Sequence, residues 1–354
     1  MLQRVAARVS LPKVAVIILN YNGLKWLPRC LSSLVKTEYP YFEIYLVDNA
    51  SSDASVDFVR HSIPSVKIIR NPRNLGFAAA YNQSIGAIEA EYVVLLNNDT
   101  EILNPHWLTS LVDVVNERTD VAAVAAKMVS MENHRVLDSV GSMGVPYWSE
   151  GFAEIGKGEL DEGQYSESLE PFAFCGGAAL LRRSAFVDVG GFDEALFLYY
   201  EDPDLSWRLR LRGWKIRFAP DATIAHYRGG SLGGGEVTAL MLYYIRRNLL
   251  RAILKNCGSS LPWALKNYFL FSFSMVPFLL MREPDKAIAF VKGIAWNLRK
   301  LRSSCGARRV VQIRRTVYEK EILRAMYPDS FLKQRRAQSR GLWILGLLLK
   351  WGSR

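Results

Sequence analysis

The chain has 354 residues, half of them hydrophobic, and a formal net charge of +11. This length allows one large domain or two ordinary ones. The four cysteines are widely scattered and include no CxxC pair, which argues against a disulfide framework or a zinc cluster and indicates a reducing compartment. The N-terminal residues lack the apolar core of a signal peptide, so we expect the protein to stay inside the cell.

The charge is unevenly distributed along the chain. Residues 240–354 carry 23 Lys and Arg against 5 Asp and Glu, a net charge of +18, whereas residues 1–239 carry a net charge of −7. A mildly acidic body followed by a strongly basic region predicts an anionic partner, either nucleic acid or an anionic lipid surface.

Strand and helix patterns alternate in the first 130 residues. Short apolar runs predict strands at 14–19, 43–49, 66–70 and 92–98, with a fifth at 121–129, and helical patterns lie between them. Near-continuous apolar strands separated by helices are typical of a parallel sheet covered on both faces. We therefore predict an α/β fold with a doubly wound, mostly parallel sheet.

The chain changes character after residue 150. Residues 150–170 are polar, acidic and rich in glycine, which predicts a mobile surface loop. Beyond this loop we predict order at 172–186, a helix at 201–212 and a strand pair within 215–227. The stretch RGGSLGGG at 228–235 predicts a flexible hinge, and we place a domain boundary there, between residues 1–235 and 236–354.

The region after the hinge is helical and cationic in pattern. Apolar residues recur at helical spacing from Leu242 onward, while Arg247, Arg251 and Lys255 line another face. The most apolar run is 261–281, but its uninterrupted part, 268–281, is shorter than the ~20 residues that a spanning helix needs. A second apolar stretch is 341–352. We predict that 236–354 is amphipathic and associates with a membrane.

Polar side chains occur where consecutive predicted strands end. They include Asn20, Asn22, Asp48, Asn74 and Asn98. Each of them alone is an ordinary turn or helix-cap residue. Because ligands bind at the carboxyl ends of the strands in an open parallel sheet, their recurrence predicts a binding site along this edge.

Two further residues suit a metal or phosphate site. Asp99 ends the NND sequence that follows a strand, where a carboxylate suits Mg²⁺ or Mn²⁺ with phosphates as co-ligands. His226 also follows a predicted strand, although an isolated histidine is more often structural than a ligand.

Three carboxylates crowd the start of the predicted helix at 201–212. Glu201, Asp202 and Asp204 lie within four residues. The helix dipole stabilises acidic residues there, which is a purely structural explanation. Crowded carboxylates also repel one another, and such repulsion can hold a general base ready.

Five segments taken together carry a family resemblance. In chain order they read VAVIILNYNG, VDNASSD, RNPRNLGFAAAYNQSI, LLNNDT and GGFDEALFLYYEDPDLSWRLRLRGW. Their order and spacing resemble the family 2 inverting glycosyltransferases of GT-A fold, most of all the bacterial and archaeal rhamnosyltransferase-type members. The resemblance covers about residues 13–230.

The resemblance implies a role for each matching residue. Asp48 would recognise the nucleotide base, Asp99 would bind a metal ion, Mg²⁺ or Mn²⁺, and Asp202 would be the general base. His226 would contact the metal or the diphosphate. The other residues expected at the nucleotide sugar are Asn20, Asn22, Asn74, Gly76, Asn82, Asn98 and Glu201.

The sequence departs from the family pattern in two places. The DxD-type motif is reduced to Asn97–Asn98–Asp99, which leaves one carboxylate, so metal affinity is expected to depend on the bound nucleotide. The QxxRW motif of processive members is absent, because LSWRLRLRGW follows Asp204. This absence favours transfer of one or a few sugars over polymerisation.

The resemblance implies an inverting transfer of a sugar from a nucleoside-diphosphate donor to a saccharide or lipid-linked acceptor in cell-surface polysaccharide synthesis. The first expected donor is dTDP-rhamnose, with UDP- and GDP-sugars as alternatives. We expect the enzyme to act at the cytoplasmic face of the cell membrane, peripherally attached to anionic lipid.

Two other classes remain as alternatives. A nucleotide-dependent oxidoreductase would need a glycine-rich turn after the first strand, where NYNGLKW stands instead. A basic nucleic-acid-binding protein would place aromatic side chains within its basic segments as stacking platforms. Here the aromatic residues lie in apolar helical blocks, so we expect no nucleic-acid partner.

Overall fold

The computed structural model describes residues 11–144, 151–167, 169–227 and 237–327. The hinge predicted at 228–235 and the apolar stretch at 341–352 lie outside these ranges. Within them a nine-stranded sheet forms the centre of the molecule. The described ranges contain eleven strands, of which β8 and β9 form a separate two-stranded sheet. They are β1 (Val14–Asn20), β2 (Phe42–Asp48), β3 (Lys67–Arg70), β4 (Tyr92–Asn97), β5 (Thr100–Ile102), β6 (Val121–Ser130), β7 (Leu137–Ser139), β8 (Ser142–Gly144), β9 (Phe152–Glu154), β10 (Ala178–Arg182) and β11 (Lys215–His226).

Helices connect the strands and follow the last one. They are α1 (Leu27–Leu34), α2 (Ser55–Ser62), α3 (Gly76–Ala87), α4 (Trp107–Asn116), α5 (Arg183–Asp188), α6 (Glu201–Leu211), α7 (Ala239–Asn256), α8 (Leu261–Arg282), α9 (Pro284–Arg299), α10 (Leu301–Ile313) and α11 (Glu319–Met326). The strand order of the large sheet is β3-β2-β1-β4-β10-β6-β11-β5, and β7 pairs with β6.

The first half of the sheet is parallel, as predicted. β1 pairs with β2 on one side and with β4 on the other, and β3 pairs with β2. The register places Asn20 beside Asp48 and Leu19 beside Asn97. The carboxyl ends of these strands therefore meet at one edge, where the sequence predicts the binding site.

The second half of the sheet is mixed. β10 lies antiparallel between β4 and β6, while β11 runs parallel to β6 and antiparallel to β5. The strand pair predicted within 215–227 is wrong, because this segment is the single strand β11. Its register shifts between Ala219 and Thr223, a stretch that includes Pro220, whose missing N–H removes one ladder hydrogen bond.

Helices cover both faces of the sheet, which confirms the predicted α/β layering. On one face, Leu31 of α1 and Trp107 of α4 pack with the sheet in one core cluster. On the other face, Tyr81 of α3 and Trp207 of α6 belong to a second cluster. The strand β1 is almost wholly buried, as a continuous apolar strand between two helical layers should be.

The segment predicted as a mobile loop is partly ordered against the core. β9 pairs with β8, and the Phe152 ring stacks on Phe172 with 5.4 Å between ring centroids. The backbone N–H of Phe152 donates to the Tyr200 hydroxyl at 3.2 Å. The glycine-rich composition of 150–170 therefore did not predict the short packed strand β9 near its start.

The basic residues that line one face of α7 point into the protein. Arg247, Arg251 and Lys255 are all buried. Arg251 donates to both carboxylate oxygens of Asp193. Lys255 Nζ lies 2.6 Å from Asp193 Oδ2 and 2.8 Å from Asp204 Oδ1. These contacts join α7 to Asp193 and Asp204, across the predicted domain boundary.

The helices after α7 are more exposed. α8 is the single helix in the described ranges with the length and apolar composition to cross a membrane, with a mean hydropathy of 1.3. One such helix is weak evidence for a span, because core helices of soluble proteins have the same length and composition. Only 24% of its most apolar window is buried, and Pro277 lies inside it.

The buried ion pairs of Lys255 lead to a stability prediction. We expect Lys255→Met to lower the free energy of unfolding by about 3–5 kcal/mol, because it removes a buried cation that Asp193 shares with Arg251 and that Asp204 shares with Arg208. The control is Arg118→Met, which removes the exposed pair with Asp120 and should change stability by less than about 1 kcal/mol. Urea unfolding followed by circular dichroism measures both. Equal losses would show that the Lys255 pairs do not hold α7 in place.

Candidate active site

Three buried polar side chains join the ends of β1, β2 and β4. The Asn20 side-chain amide donates to Asp48 Oδ1 at 3.3 Å, and its carbonyl oxygen accepts from the Asn98 amide at 2.8 Å. Gly23 follows closely, and a Cβ there would lie 2.2 Å from Asn20 Oδ1, so only glycine fits. The three expected residues thus form one connected group.

The loop after β2 closes around Asp48. Asp48 Oδ2 accepts from the backbone N–H of Ser51 at 3.2 Å and lies 3.6 Å from Arg70 Nε. Asn22, in the left-handed region with φ 51°, accepts from the Ser52 N–H at 2.8 Å. Asp48 and Asn22 are therefore fixed by the same short loop.

Asn49 organises the turn that leads into α3, a role that the sequence did not reveal. Its carbonyl oxygen accepts from the Asn71 amide and the Leu75 N–H, and its amide donates to Asn74 Oδ1 and to the Gly76 carbonyl. Gly76 has φ 77°, and a Cβ there would lie 2.5 Å from the Phe197 carbonyl oxygen. Asn74 and Gly76 therefore shape the turn between β3 and α3.

The Asn82 side chain makes hydrogen bonds within the protein, and its place beside the nucleotide stays a prediction. Its amide donates to the Phe192 carbonyl at 2.9 Å and to Glu194 Oε1 at 3.0 Å, and its carbonyl oxygen accepts from the Phe192 N–H at 2.8 Å. Both ends of this side chain join α3 to the segment before α6, because the two elements pack side by side.

Asp99 and His226 lie together, as predicted for a cation site. His226 Nε2 is 3.4 Å from Asp99 Oδ1. His226 Nδ1 is 2.8 Å from Oδ2 of Asp138, a residue that the sequence analysis did not identify. Burial alone would lower the pKa of His226, but hydrogen bonds to the Asp138 and Asp99 carboxylates raise it to about 9.

The donor set fits a divalent cation bound together with a phosphorylated ligand. An imidazole whose second nitrogen is held by a carboxylate is a common arrangement for a metal-ligating histidine. In the described ranges, no group of three or more His, Cys, Asp or Glu side chains could hold a metal ion. A cation at Asp99 and His226 would therefore take its other ligands from phosphate oxygens and water, as Mg²⁺ does in many nucleotide sites.

The three crowded carboxylates have three different environments. Burial raises the pKa of Glu201 well above its usual range, and the neighbouring Asp202 carboxylate adds to the effect. Asp204 is buried and accepts from Arg208, Lys255 and Asn256. Although burial alone would raise the Asp204 pKa, Lys255 and Arg208 hold it below its usual range.

Asp202 faces the loop before β10. Its Oδ2 accepts from the Gly176 N–H at 2.9 Å. A Cβ on the next residue, Gly177, would lie 3.5 Å from His226 Cε1 and 3.5 Å from Asn97 Nδ2. The Gly176–Gly177 dipeptide therefore lies between Asp202 and His226, with Gly176 next to the carboxylate and Gly177 next to the imidazole.

The residues just before Asp202 adopt a strained backbone. Phe197, Tyr199 and Tyr200 have φ of 63°, 64° and 72°, in a region that residues with side chains rarely occupy and that costs about 1–3 kcal/mol each. Such strain commonly lies at functional sites, and nothing in the letters FLYY indicates it.

The family and the fold are identified by comparison with known proteins. Residues 15–190 match the model of glycosyl transferase family 2. The chain is 28% identical over 315 residues to the N-acetylglucosaminyl-diphospho-decaprenol L-rhamnosyltransferase of Mycobacterium tuberculosis, which covers 80% of this chain and 98% of that relative.

Two solved structures share the fold at 18% sequence identity. GalNAc-T7 with UDP, GalNAc and Mn²⁺ superimposes with a TM-score of 0.56 over 70% of this chain and 48% of its own. S. aureus TarS in complex with UDP-GlcNAc superimposes with a TM-score of 0.55 over 89% and 93%. The chain is therefore a glycosyltransferase of family 2, with the GT-A fold, and acts on nucleotide sugars.

Proposed function

We propose that this enzyme transfers a single sugar, with inversion, from a nucleoside-diphosphate donor to a lipid-linked saccharide at the cytoplasmic face of a membrane. The observation that carries this proposal is the placement of Asp202 and the Asp99–His226 pair on either side of Gly176–Gly177. A general base on one side of this dipeptide and a diphosphate-binding pair on the other suit attack at an anomeric carbon held between them.

Asp202 acts as the general base in this proposal. It removes the proton from an acceptor hydroxyl, whose oxygen forms a bond to the anomeric carbon as the bond to the diphosphate oxygen breaks. Burial and the neighbouring Asp202 carboxylate raise the pKa of Glu201 well above its usual range, and Asp202 is the carboxylate that faces the Gly176 N–H. Asp204 is excluded as the base because its oxygens are held by Lys255 and Asn256.

The donor is held at the edge of the parallel strands in this proposal. Asp48 and Asn20 would contact the nucleoside, with Asn22, Asn74, Gly76 and Asn98 around them. A divalent cation at Asp99 and His226 would offset negative charge on the departing diphosphate. Glu201 Oε2 is buried and accepts no hydrogen bond within the described part of the chain, which supports a contact from protonated Glu201 to a donor sugar hydroxyl.

The donor and acceptor identities rest on the relatives. The mycobacterial relative is named as an L-rhamnosyltransferase of a lipid-linked GlcNAc, which supports dTDP-rhamnose as the donor here and a polyprenyl-diphosphate sugar as the acceptor. Hydrolysis of dTDP-, UDP- and GDP-sugars with and without Mn²⁺ tests the donor. Turnover confined to UDP- or GDP-sugars would contradict the dTDP-rhamnose proposal.

A lipid-linked acceptor requires contact with a membrane, and α8 and α9 offer a suitable surface. Phe273 and Met281 of α8 are 67% and 87% exposed, and Leu298 of α9 is 68% exposed. Exposed basic residues interrupt the apolar ones along the same helices: Lys266, Arg282, Lys292 and Arg299. Apolar side chains interleaved with cations are typical of helices that lie on anionic lipid.

The first prediction from the proposed function concerns the general base. Asp202→Asn should fold, bind donor and lose ~10²–10⁴-fold in transfer rate, because a general base contributes that much. Glu201→Gln is the comparison variant, because its amide can still donate the proposed hydrogen bond to the donor sugar, and it should lose less than about tenfold in transfer rate. Steady-state transfer assays compare the two. The reverse order of losses would assign the base to Glu201.

The second prediction separates the metal and nucleotide roles. Asp99→Ala should abolish the part of nucleoside-diphosphate affinity that needs Mn²⁺, whereas Asp48→Ala should weaken binding equally in Mn²⁺ and in EDTA. Asp138→Ala should lower Mn²⁺ affinity about 10–100-fold, because it releases the imidazole that Asp138 orients.

Isothermal calorimetry in EDTA and in Mn²⁺ makes this comparison, with Asp57→Ala, an exposed carboxylate on α2, as the control. Equal losses in both conditions for Asp99→Ala and Asp48→Ala would contradict the assignment of separate roles.

The third prediction tests the membrane surface. The protein should float with vesicles that contain anionic lipid and be released by a high-salt or carbonate wash. Phe273→Glu combined with Met281→Glu should reduce the bound fraction at least ~10-fold, since each buried apolar side chain contributes about 1.5–3 kcal/mol. Tyr41→Glu, an exposed aromatic residue before β2, should leave flotation unchanged.

Two outcomes contradict peripheral attachment. Full resistance to the carbonate wash would mean that α8 spans the bilayer. No flotation of the unmodified protein would remove the membrane surface from the proposal.

A further inference from the structure

The turn at 195–200 presents its backbone carbonyls to two different helices. The Leu198 N–H donates to the Leu196 carbonyl at 2.7 Å, and Phe197 between them has φ 63° and ψ −59°. This combination is the γ-turn that is rare and strained in proteins. Tyr199 and Tyr200 follow with positive φ. Such a backbone persists only where its surroundings hold it.

Two adjacent residues of α7 hold most of these carbonyls. The Asn248 amide lies 2.9 Å from the Leu196 carbonyl oxygen, 2.8 Å from that of Leu198 and 2.6 Å from that of Tyr199. Arg247 Nη2 donates to the carbonyls of Ala195 at 3.0 Å and Leu196 at 2.7 Å. Both side chains are buried.

The Arg247 guanidinium is itself fixed in place. Its Nε donates to the Asn248 side-chain oxygen at 2.8 Å, and its plane lies over the Trp296 ring of α9 at 4.4 Å and the Tyr244 ring at 4.7 Å. The Asn297 amide donates to the Arg247 carbonyl at 2.8 Å. The pair therefore faces the turn with little freedom to move.

The Tyr200 carbonyl accepts from the Asp204 N–H in the first turn of α6, and the Phe197 carbonyl is directed toward α3. The Phe197 carbonyl accepts from the Phe77 N–H at 2.7 Å, where Gly76 permits the close approach. The turn is thus held between the start of α3 and the middle of α7. It leads directly into α6, whose second residue is Asp202.

We propose that Asn248 and Arg247 are positioning residues for catalysis, because they hold the 195–200 turn in the conformation that keeps Asp202 against the Gly176 N–H. This inference rests on the proposed role of Asp202 as the base. Both side chains donate to carbonyls of the turn, so their proposed effect on Asp202 passes through the turn.

This role differs from simple attachment of α7. The helix is separately joined to the body by Arg251 and Lys255, which pair with Asp193 and Asp204 on either side of the turn. Replacing Asn248 leaves those ion pairs intact. The helix should then stay docked while the turn relaxes toward less strained backbone angles.

The test compares Asn248→Leu, which keeps the branched shape of the side chain and removes its donors and its acceptor, with Arg246→Gln as the control. Arg246 is equally buried on α7, but it donates to Ser272 and lies over Tyr268. The measurements are kcat, KM for the donor, nucleoside-diphosphate affinity, the pH dependence of kcat/KM, and hydrogen–deuterium exchange of peptides covering 195–200.

For Asn248→Leu we expect nucleotide affinity within about threefold of the unmodified enzyme and a ~10- to 100-fold loss of kcat, as for a misplaced catalytic group. The acid limb of the pH profile should move to higher pH, because Asp202 loses the hydrogen bond that stabilises its ionised form. Exchange at 195–200 should accelerate. Arg246→Gln should lower thermal stability and change none of these.

Arg247→Lys is the second variant, which keeps the charge but reaches fewer carbonyls, and it should show the same changes at smaller size even if Asn248→Leu does not fold. Unchanged kcat and pH profile with faster exchange would overturn the positioning role, as would equal kcat losses in Arg246→Gln. If the unmodified enzyme turns over no nucleotide sugar, the proposed function fails. Unchanged hydrogen–deuterium exchange at 195–200 in the Asn248 and Arg247 variants would separately show that these residues do not hold the turn.

Discussion

The buried ammonium group of Lys255 links the two chain segments on either side of the strained turn. Lys255 pairs with Asp193 and Asp204, and the strained turn lies between those two aspartates in the chain. Three positive-φ residues at about 1–3 kcal/mol each represent a large share of the ~5–15 kcal/mol that stabilises a typical domain. Fixing both ends of the segment to one helix reduces the conformations available to it, so the strain persists without disrupting the fold.

The sequence predicted the half of the site that depends on local pattern. Asn20, Asp48 and Asp99 follow apolar strands, and parallel pairing brings strand ends together whatever their spacing along the chain. It did not predict the antiparallel β10, whose apolar run has the same pattern in either direction. Asp138 was missed because β7 is three residues long, too short for a periodic signal.

The burial of basic residues on α7 was also beyond sequence pattern. Arg and Lys are almost never fully buried unless paired, so a basic helical stripe normally indicates a solvated or lipid-facing surface. Here their partners are carboxylates and backbone carbonyls about 50 residues earlier in the chain. The sequence FLYY does not predict the strained conformation that makes those carbonyls accessible. Asn82 is the converse case, because sequence pattern predicts it beside the nucleotide while its side-chain amide also donates to and accepts from the Phe192 backbone.

This inward charge changes how the basic C-terminal region should be interpreted. Of its 23 basic residues, Arg246, Arg247, Arg251 and Lys255 are buried and cannot contact a lipid surface. At ~1 kcal/mol for each basic residue near anionic lipid, counting them would overstate the attraction by about 4 kcal/mol. The proposed membrane contact therefore depends on exposed cations and apolar side chains of α8 and α9. Trp296 of α9 also stacks on Arg247. One helix therefore contributes both to the surface proposed to meet the lipid and to the support of the residues proposed to position the base.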